Sequence, residues 1–223
     1  MSRNSSLAAI AATLLLASAA FAETQDPLTD LFLAMANDDA AAAERAVVAS
    51  AGIVNADTGR RSTPLINAVI LSKPHVVDVL LRHGADPAHE ADDGAIGNAV
   101  GAAFFAVNGS HLTGMLEDHP NPQDRAVALE VLRLVIAPGK GLDVPVRRAA
   151  TAMTPLMIGA QFGMPDVVKM LLDAGAKPNA TGGGKFTALD YAYDPGTRWT
   201  HASAQDRDEV IRLLKQAGAV RKS

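Results

Sequence analysis

Two stretches carry residue types able to do chemistry. The first is VNGSHLTGMLEDHPNPQD, Val107–Asp124, which holds His111, Glu117, Asp118 and His119. Two imidazoles and two carboxylates within nine residues are the donor set of a divalent metal site. Such sites keep their ligands at fixed short spacing on rigid elements, whereas these lie beside Pro120 and Pro122 in a stretch of loop composition. They read as a solvated loop, with no metal. The second is TGGGKFT, Thr181–Thr187, which has the glycines and lysine of a phosphate loop. That motif needs Gly-x4-Gly-Lys-Ser/Thr between a strand and a helix. Here Asn179 stands at the first glycine and Phe186 follows the lysine. There is no Gly-x-Ser-x-Gly elbow and no His-Glu-x-x-His helix. The chain has no cysteine, which removes thiolate chemistry and disulfides together. Asp78, Glu130 and Asp173 fall at solvated helix positions. The expectation is a protein that is not an enzyme and carries no cofactor.

The elements that position these residues repeat. Val76-Val77-Asp78-Val79-Leu80-Leu81 has the pattern apolar, apolar, charged, apolar, apolar. It returns at Val131–Ile136, at Val167–Leu172 and at Val210–Lys215. Apolar residues at i, i+1, i+3 and i+4 around a charge describe a wide buried helix face. Each copy ends in a glycine turn, RHGADP, APGKGLDVP, DAGAKPNA or QAGAV. Glycine just past a helix end adopts the left-handed cap without a Cβ clash. Ahead of three copies stand Thr63-Pro64-Leu65, Thr154-Pro155-Leu156 and Thr187-Ala188-Leu189. The threonine hydroxyl is expected to cap the first turn, and proline after it loses no needed N–H.

The unit is therefore turn, helix, short turn, helix, glycine turn, with a spacing of 33 from Thr154 to Thr187. It resembles the ankyrin repeat, whose pattern is a Thr-Pro-Leu-His-x-Ala start, two helices and a Gly-Ala-Asp finger. The histidine of that pattern is replaced by Ile66 and Met157, so its capping bonds are expected to be absent there. The resemblance implies an all-α ankyrin-repeat solenoid of about five repeats, at about 26–54, 55–87, 88–145, 146–179 and 180–221. Repeat one has an alanine-rich second helix suited to an N-terminal cap. Repeat three has lost its Thr-Pro start. Lys215 stands where inner repeats have Leu81 and Leu172, as an end cap requires.

Two inserts break the period. Val76 to Val131 is 55 residues and Val167 to Val210 is 43, against 33 for a plain repeat. The excess falls in Val107–Asp124 and Asp194–Gln205, each read as a loop between the two helices of its repeat. The second insert holds the single tryptophan, Trp199, beside Arg198 and His201. Trp and Arg are enriched in interface hot spots. Trp199 either meets a partner or folds back on Tyr191 or Tyr193.

The resemblance also implies a function, since finger turns and first helices of ankyrin repeats line a concave, partner-binding groove. Carried onto this chain, the fingers offer Asp57, Arg60, Arg61, Ser62, Arg147, Arg148, Ala152, Gly183 and Lys185. The first-helix ends offer Ile70, Leu71, Gln161 and Phe162, the apolar ones being either contact residues or packing between repeats. The arginines and Lys185 form a basic strip expected to meet an acidic patch on a protein partner. A net charge of −4 with no chain-wide basic stripe excludes nucleic acid as that partner.

Residues 1–22 form a separate object. One positive charge, Arg3, precedes an apolar run from Leu7 to about Ala20 and then Ala20-Phe21-Ala22. This is the layout of a secretory signal peptide cleaved after Ala22. Its apolar run is shorter than the roughly 20 residues of a span. The expectation is a monomer exported to a bacterial periplasm, without stable membrane insertion. Similar secreted bacterial ankyrin proteins imply an accessory role in oxidative-stress defence. An immunity protein that occludes a toxin's active site is the alternative.

Overall fold

The computed structural model describes residues 26–59, 62–91, 97–107, 122–146, 152–194 and 202–222. Among them are ten α-helices: α1 Pro27–Asn37, α2 Ala40–Ala49, α3 Pro64–Ile70, α4 Pro74–Arg82, α5 Ala99–Val107, α6 Pro122–Ile136, α7 Pro155–Gln161, α8 Pro165–Asp173, α9 Ala188–Tyr193 and α10 Ala204–Gln216. They form five antiparallel pairs. Each odd helix packs on the even helix that follows it. From α3 onward each odd helix also packs on the next odd one, and every even helix packs on the next even one. The result is a two-layer solenoid, as the repeated pattern predicts.

Burial follows the pattern residue by residue. Val76, Val77, Val79 and Leu80 are fully buried, and so are Val167, Val168 and Leu171. Each such side chain contributes about 1.5–3 kcal/mol, an upper value for a compact unfolded chain. At the far end Val210 and Leu214 are buried while Lys215 is exposed, where Leu81 and Leu172 are half-buried. The lysine ammonium lies 5.5 Å from the centre of the Tyr193 ring and the Arg221 guanidinium 4.7 Å from it. A charged, aromatic end face fits an array with no further repeat to cover it.

Polar side chains stitch several of the steps along the stack. The Asn55 amide donates to the Gly84 carbonyl at 3.2 Å and accepts from the Asp86 N–H at 3.0 Å. Asn179 makes the same pair of bonds to Gly218 and Val220, at 2.9 and 2.8 Å. Asp143 accepts from the Lys177 N–H at 3.0 Å. Apolar packing alone leaves helices free to slide, whereas these bonds fix the step between repeats.

Helix starts depart from expectation in instructive ways. Thr63 and Thr154 accept from the N–H groups of Ile66 and Met157, as predicted. At 157 the thioether stands in for the missing histidine, since the Thr154 N–H lies 3.4 Å from Met157 Sδ. At Thr187 the capping is reciprocal, a capping box in which Thr187 and Asp190 each accept from the other's backbone. The buried Asp190 carboxylate accepts from the Thr187 N–H at 2.8 Å. The Thr187 hydroxyl lies 3.0 Å from Asp190 Oδ2 and 2.9 Å from the Val220 carbonyl. A carboxylate at the third helical position is a stronger acceptor than a hydroxyl at the cap, and it also takes the Lys222 N–H. Repeat three keeps a helix start after all. Asn98, fully buried, accepts from the Gly101 N–H at 3.0 Å and donates to the Gly141 carbonyl at 2.9 Å. It fills the threonine position and the stitching position with one side chain.

Both inserts do fall between the paired helices, but they are not loops throughout. Residues 122–124 and 204–205 are the first turns of α6 and α10, which run to 15 and 13 residues against nine for α4 and α8. Part of the extra chain lengthens outer helices, because Pro122 and Ser203-Ala204 are good helix starts. Residues 108–121 and 195–201 lie outside the described residues, as do residues 1–25, which include the expected leader 1–22. Where the second insert returns, a Cβ on Gly163 would sit 2.3 Å from the Ala202 Cβ. Gly163 has φ +62, so glycine serves both the left-handed turn and this close approach.

Replacing Asn98 by alanine should lower stability by about 2 kcal/mol, roughly 1 for the cap and roughly 1 for the buried bond to Gly141. Asn98→Ser, which keeps the cap alone, should lose about half as much. Urea denaturation of the two variants measures the difference.

Candidate functional site

The solenoid leaves one long face of the odd helices uncovered. Its register is read from burial. Counting from the residue that starts α3, α5, α7 and α9, the described seventh and eighth positions are half-buried or exposed, while the fourth is half-buried in α3 and α9 and buried in α5 and α7. These positions are Asn67, Ile70 and Leu71 at α3, and on α1 Leu33, Ala36 and Asn37 are exposed. They continue as Ala102, Phe105 and Ala106 in α5, as Ile158, Gln161 and Phe162 at α7, and as Tyr191 and Asp194 at α9.

The finger turns close against this face. Asn67 donates to the Thr58 hydroxyl at 2.8 Å and accepts from the Ser62 hydroxyl at 3.1 Å. The finger itself is pinned by the Thr58 N–H and hydroxyl on the Ser62 carbonyl, at 2.9 and 3.0 Å. Asp57 folds back on the Gly59 N–H at 2.8 Å, an Asx turn that leaves its side chain at the exposed edge. In repeat five the finger residue Phe186 packs edge-on against Tyr191, ring centres 6.0 Å apart. Fingers and odd helices therefore make the two walls of one groove.

The stretch Thr181–Thr187 is one of these fingers. Its glycines serve contact between fingers: the Gly183 N–H donates to the Ala152 carbonyl at 3.0 Å. A Cβ on Gly182 would lie 2.2 Å from that same carbonyl oxygen. Finger four is itself closed by an antiparallel bridge between Val146 and Met153.

Of the residues expected at the interface, Asp57, Ser62, Leu71 and Lys185 stand at the groove, with Leu71 51% and Lys185 well exposed. Ile70 and Phe162 are half-buried and pack on the core, so their apolar character serves the stack as well as the surface. Gln161 is half-buried between them in register. Arg60, Arg61, Arg147, Arg148, Arg198 and Trp199 lie outside the described residues, and so do His111, Glu117, Asp118 and His119. Among the described residues no group of three or more His, Cys, Asp or Glu is placed to hold a metal. Sequence reasoning missed Phe105 and Tyr191. The signal for Phe105 was Asn98, which sets the helix register once it is taken as a cap.

The outer face is electrostatically different. Its ion pairs bridge neighbouring even helices: Arg125 to Asp166 at 2.7 Å, and Arg82 to Glu44 at 3.3 Å. Two histidines of α4 reach back to repeat one. His83 Nε2 lies 2.6 Å from Glu44, and this hydrogen bond, helped by Arg82, holds the Glu44 carboxyl below its ordinary pKa. His75 Nδ1 lies 2.7 Å from Asp38, whose carboxylate raises the His75 pKa by hydrogen bond and charge. Asp38 also accepts from the Val76 N–H at 3.1 Å, capping α4 from the preceding repeat.

Residues 153–183 match the family model described as Ankyrin repeat. Among solved structures, the crystal structure of an ankyrin repeat domain from Acinetobacter baumannii AYE is similar with a TM-score of 0.62. The two chains are 22% identical, over 85% of this chain and 81% of that one, a likeness of fold. No curated protein matches the chain.

Because folding raises the His75 pKa, the folded chain holds that proton more tightly than the unfolded one. The pairing with Asp38 should therefore stabilise fully below the unfolded histidine value, about 6.5. It should fade as pH rises through the higher folded value. A proton NMR titration should give His75 a midpoint above that of an unstructured histidine, and Asp38→Asn should bring it back.

Proposed function

We propose that this ankyrin-repeat solenoid is an exported, non-catalytic scaffold that binds another protein through its groove. The observation that carries the reading is the open inner face itself. Five stacked pairs, tied by directional bonds at several steps, hold fingers and odd helices as one pre-formed surface. A surface ordered before binding loses little entropy on contact, which favours affinity. Ankyrin repeats mediate protein–protein interaction in general, and the match of residues 153–183 to that family model, with the likeness of fold, supports the reading.

Export is supported by the layout of residues 1–22 and by a chain without cysteine, stable in an oxidising compartment with no disulfide to form. No helix among the described residues is long and apolar enough to cross a membrane. In this reading the mature chain is a monomer in the periplasm. It serves as an accessory factor to an exported enzyme of oxidative-stress defence. The basic finger residues Arg60, Arg61, Arg147, Arg148 and Lys185 face an acidic patch on that partner, and Arg198 and Trp199 of the second insert add a contact at the edge.

A pull-down from periplasmic extract tests this. The wild-type chain should retain one dominant partner, and the triple variant Arg60→Glu, Arg147→Glu, Arg148→Glu should retain at least tenfold less. Undiminished capture by the triple variant removes the basic strip from the interface. Recovery of a secreted toxin in place of an oxidative-stress enzyme assigns the immunity role instead.

A further inference from the structure

Repeat one is held to the rest of the stack mainly by one layer. Its outer helix α2 packs on α4, but α1 has no comparable packing on α3, whereas α3, α5, α7 and α9 pack on one another in turn. The apolar side chains that α2 buries are Ala43, Ala46 and Val47, against Val76, Val77, Val79 and Leu80 in α4. Two alanines and a valine bury less apolar area, so apolar contact holds this step more weakly than the inner ones. The polar bonds at the step converge on two carboxylates of repeat one. Asp38 meets His75 Nδ1 at 2.7 Å and the Val76 N–H at 3.1 Å. Glu44 meets His83 Nε2 at 2.6 Å and the Arg82 guanidinium at 3.3 Å. Between α6 and α8 the ion pair is Arg125 with Asp166, residue types that do not change charge near neutral pH.

We propose that repeat one is a hinged flap whose docking on repeat two is set by pH through the His75–Asp38 and His83–Glu44 pairs. The pivot is the 3-10 turn Ala51–Asn55. Ile53 and Val54 of that turn are buried, the turn packs on α3, and Asn55 bonds Gly84 and Asp86. Helices α1 and α2 lie beyond it and depend on the two pairs. A protonated imidazole makes each pair one of opposite charges. Asp38 raises the His75 pKa, first by its hydrogen bond and then by its charge, with smaller help from Glu130 of α6 and Asp78 of α4. The third helix against α4 is α3, which has no charged residue. The docked state therefore holds the His75 proton more tightly than the open one, and docking weakens as pH rises from about 6.5 through the raised value. On the acid side the His83 hydrogen bond, with Arg82, lowers the Glu44 pKa. That contribution is complete above the ordinary value of 4.5 and is lost as pH falls through the lowered one. Docking is thus tightest between the two. When the flap opens, Leu33, Ala36 and Asn37 leave the inner face, so pH sets how much of that face is assembled.

Hydrogen–deuterium exchange of the full chain, read by mass spectrometry at about pH 6 and about pH 8.5 and corrected for intrinsic rate, tests the flap. Exposed pairs contribute little singly, so the two together should cost residues 27–49 about fivefold in protection at the higher pH, while residues 155–173 keep theirs. His75→Gln combined with His83→Gln keeps polar side chains but no titrating group. It should leave residues 27–49 weakly protected and indifferent to pH. The single variants, each at an exposed site, should lie between it and the wild type. Three results overturn the flap: equal protection of residues 27–49 at the two pH values, an equal loss in residues 155–173, or unchanged pH dependence in the histidine variants. Each leaves the protein-binding reading untouched.

Discussion

One constraint governs the molecule: a single helix pair cannot bury its own apolar face. The α7–α8 pair has Leu156, Met157, Val167, Val168 and Leu171 to hide, and their burial requires neighbours on both sides. At about 1.5–3 kcal/mol for each side chain, an isolated pair would leave uncovered more than its secondary structure could recover. Stacking is therefore the condition for folding, and each repeat is stable only in company. The same constraint explains why the ends differ from the middle. At the start Arg45 is exposed where Val79 is buried in the next repeat, and at the finish Lys215 replaces a leucine.

Stacking by itself fixes an area but not a geometry. The register comes from a small set of directional bonds at turns, where Asn55, Asp143 and Asn179 each hold backbone of the next repeat. Asn98 and Asp190 do related work at helix starts, each buried, Asn98 tying the two ends of repeat three together and Asp190 holding the C-terminal segment. The buried polar side chains among the described residues all have partners. This matters for function because the groove is only as rigid as the step between repeats. The finger of repeat two is bonded to Asn67 on the helix beneath it, so a partner meets both walls at a set distance.

Most of the fold was legible because the stacking residues are local and periodic. Val76–Leu81 and Val167–Leu172 announce outer helices, and their glycine turns announce the steps. What escaped was non-local or depended on a substitution. Asn98 hid because the helix start was sought as Thr-Pro, though asparagine caps as well as threonine does. The reciprocal cap at Thr187 draws on Asp190, which also takes the Lys222 N–H, 32 residues away. Asp38 caps α4 across a similar distance, and no local pattern contains both ends. For the groove, Leu71 and Lys185 are exposed, while Ile70 and Phe162 are half-buried and pack on the core.

The division of charge between the faces then follows from what each face must do. Outer helices meet water along their whole length, so residues such as Arg82 and Asp166 keep the chain soluble and pair across repeats at little cost. The odd helices α3, α5 and α7 carry no charged residue, and exposed apolar side chains occur in both layers, Leu33 and Leu71 in one and Val48 and Val127 in the other. Packing does not demand them, because inner positions such as Asn67 and Gln161 show that polar residues fit the same register. The stack therefore sets both where the open surface lies and which layer carries the charge.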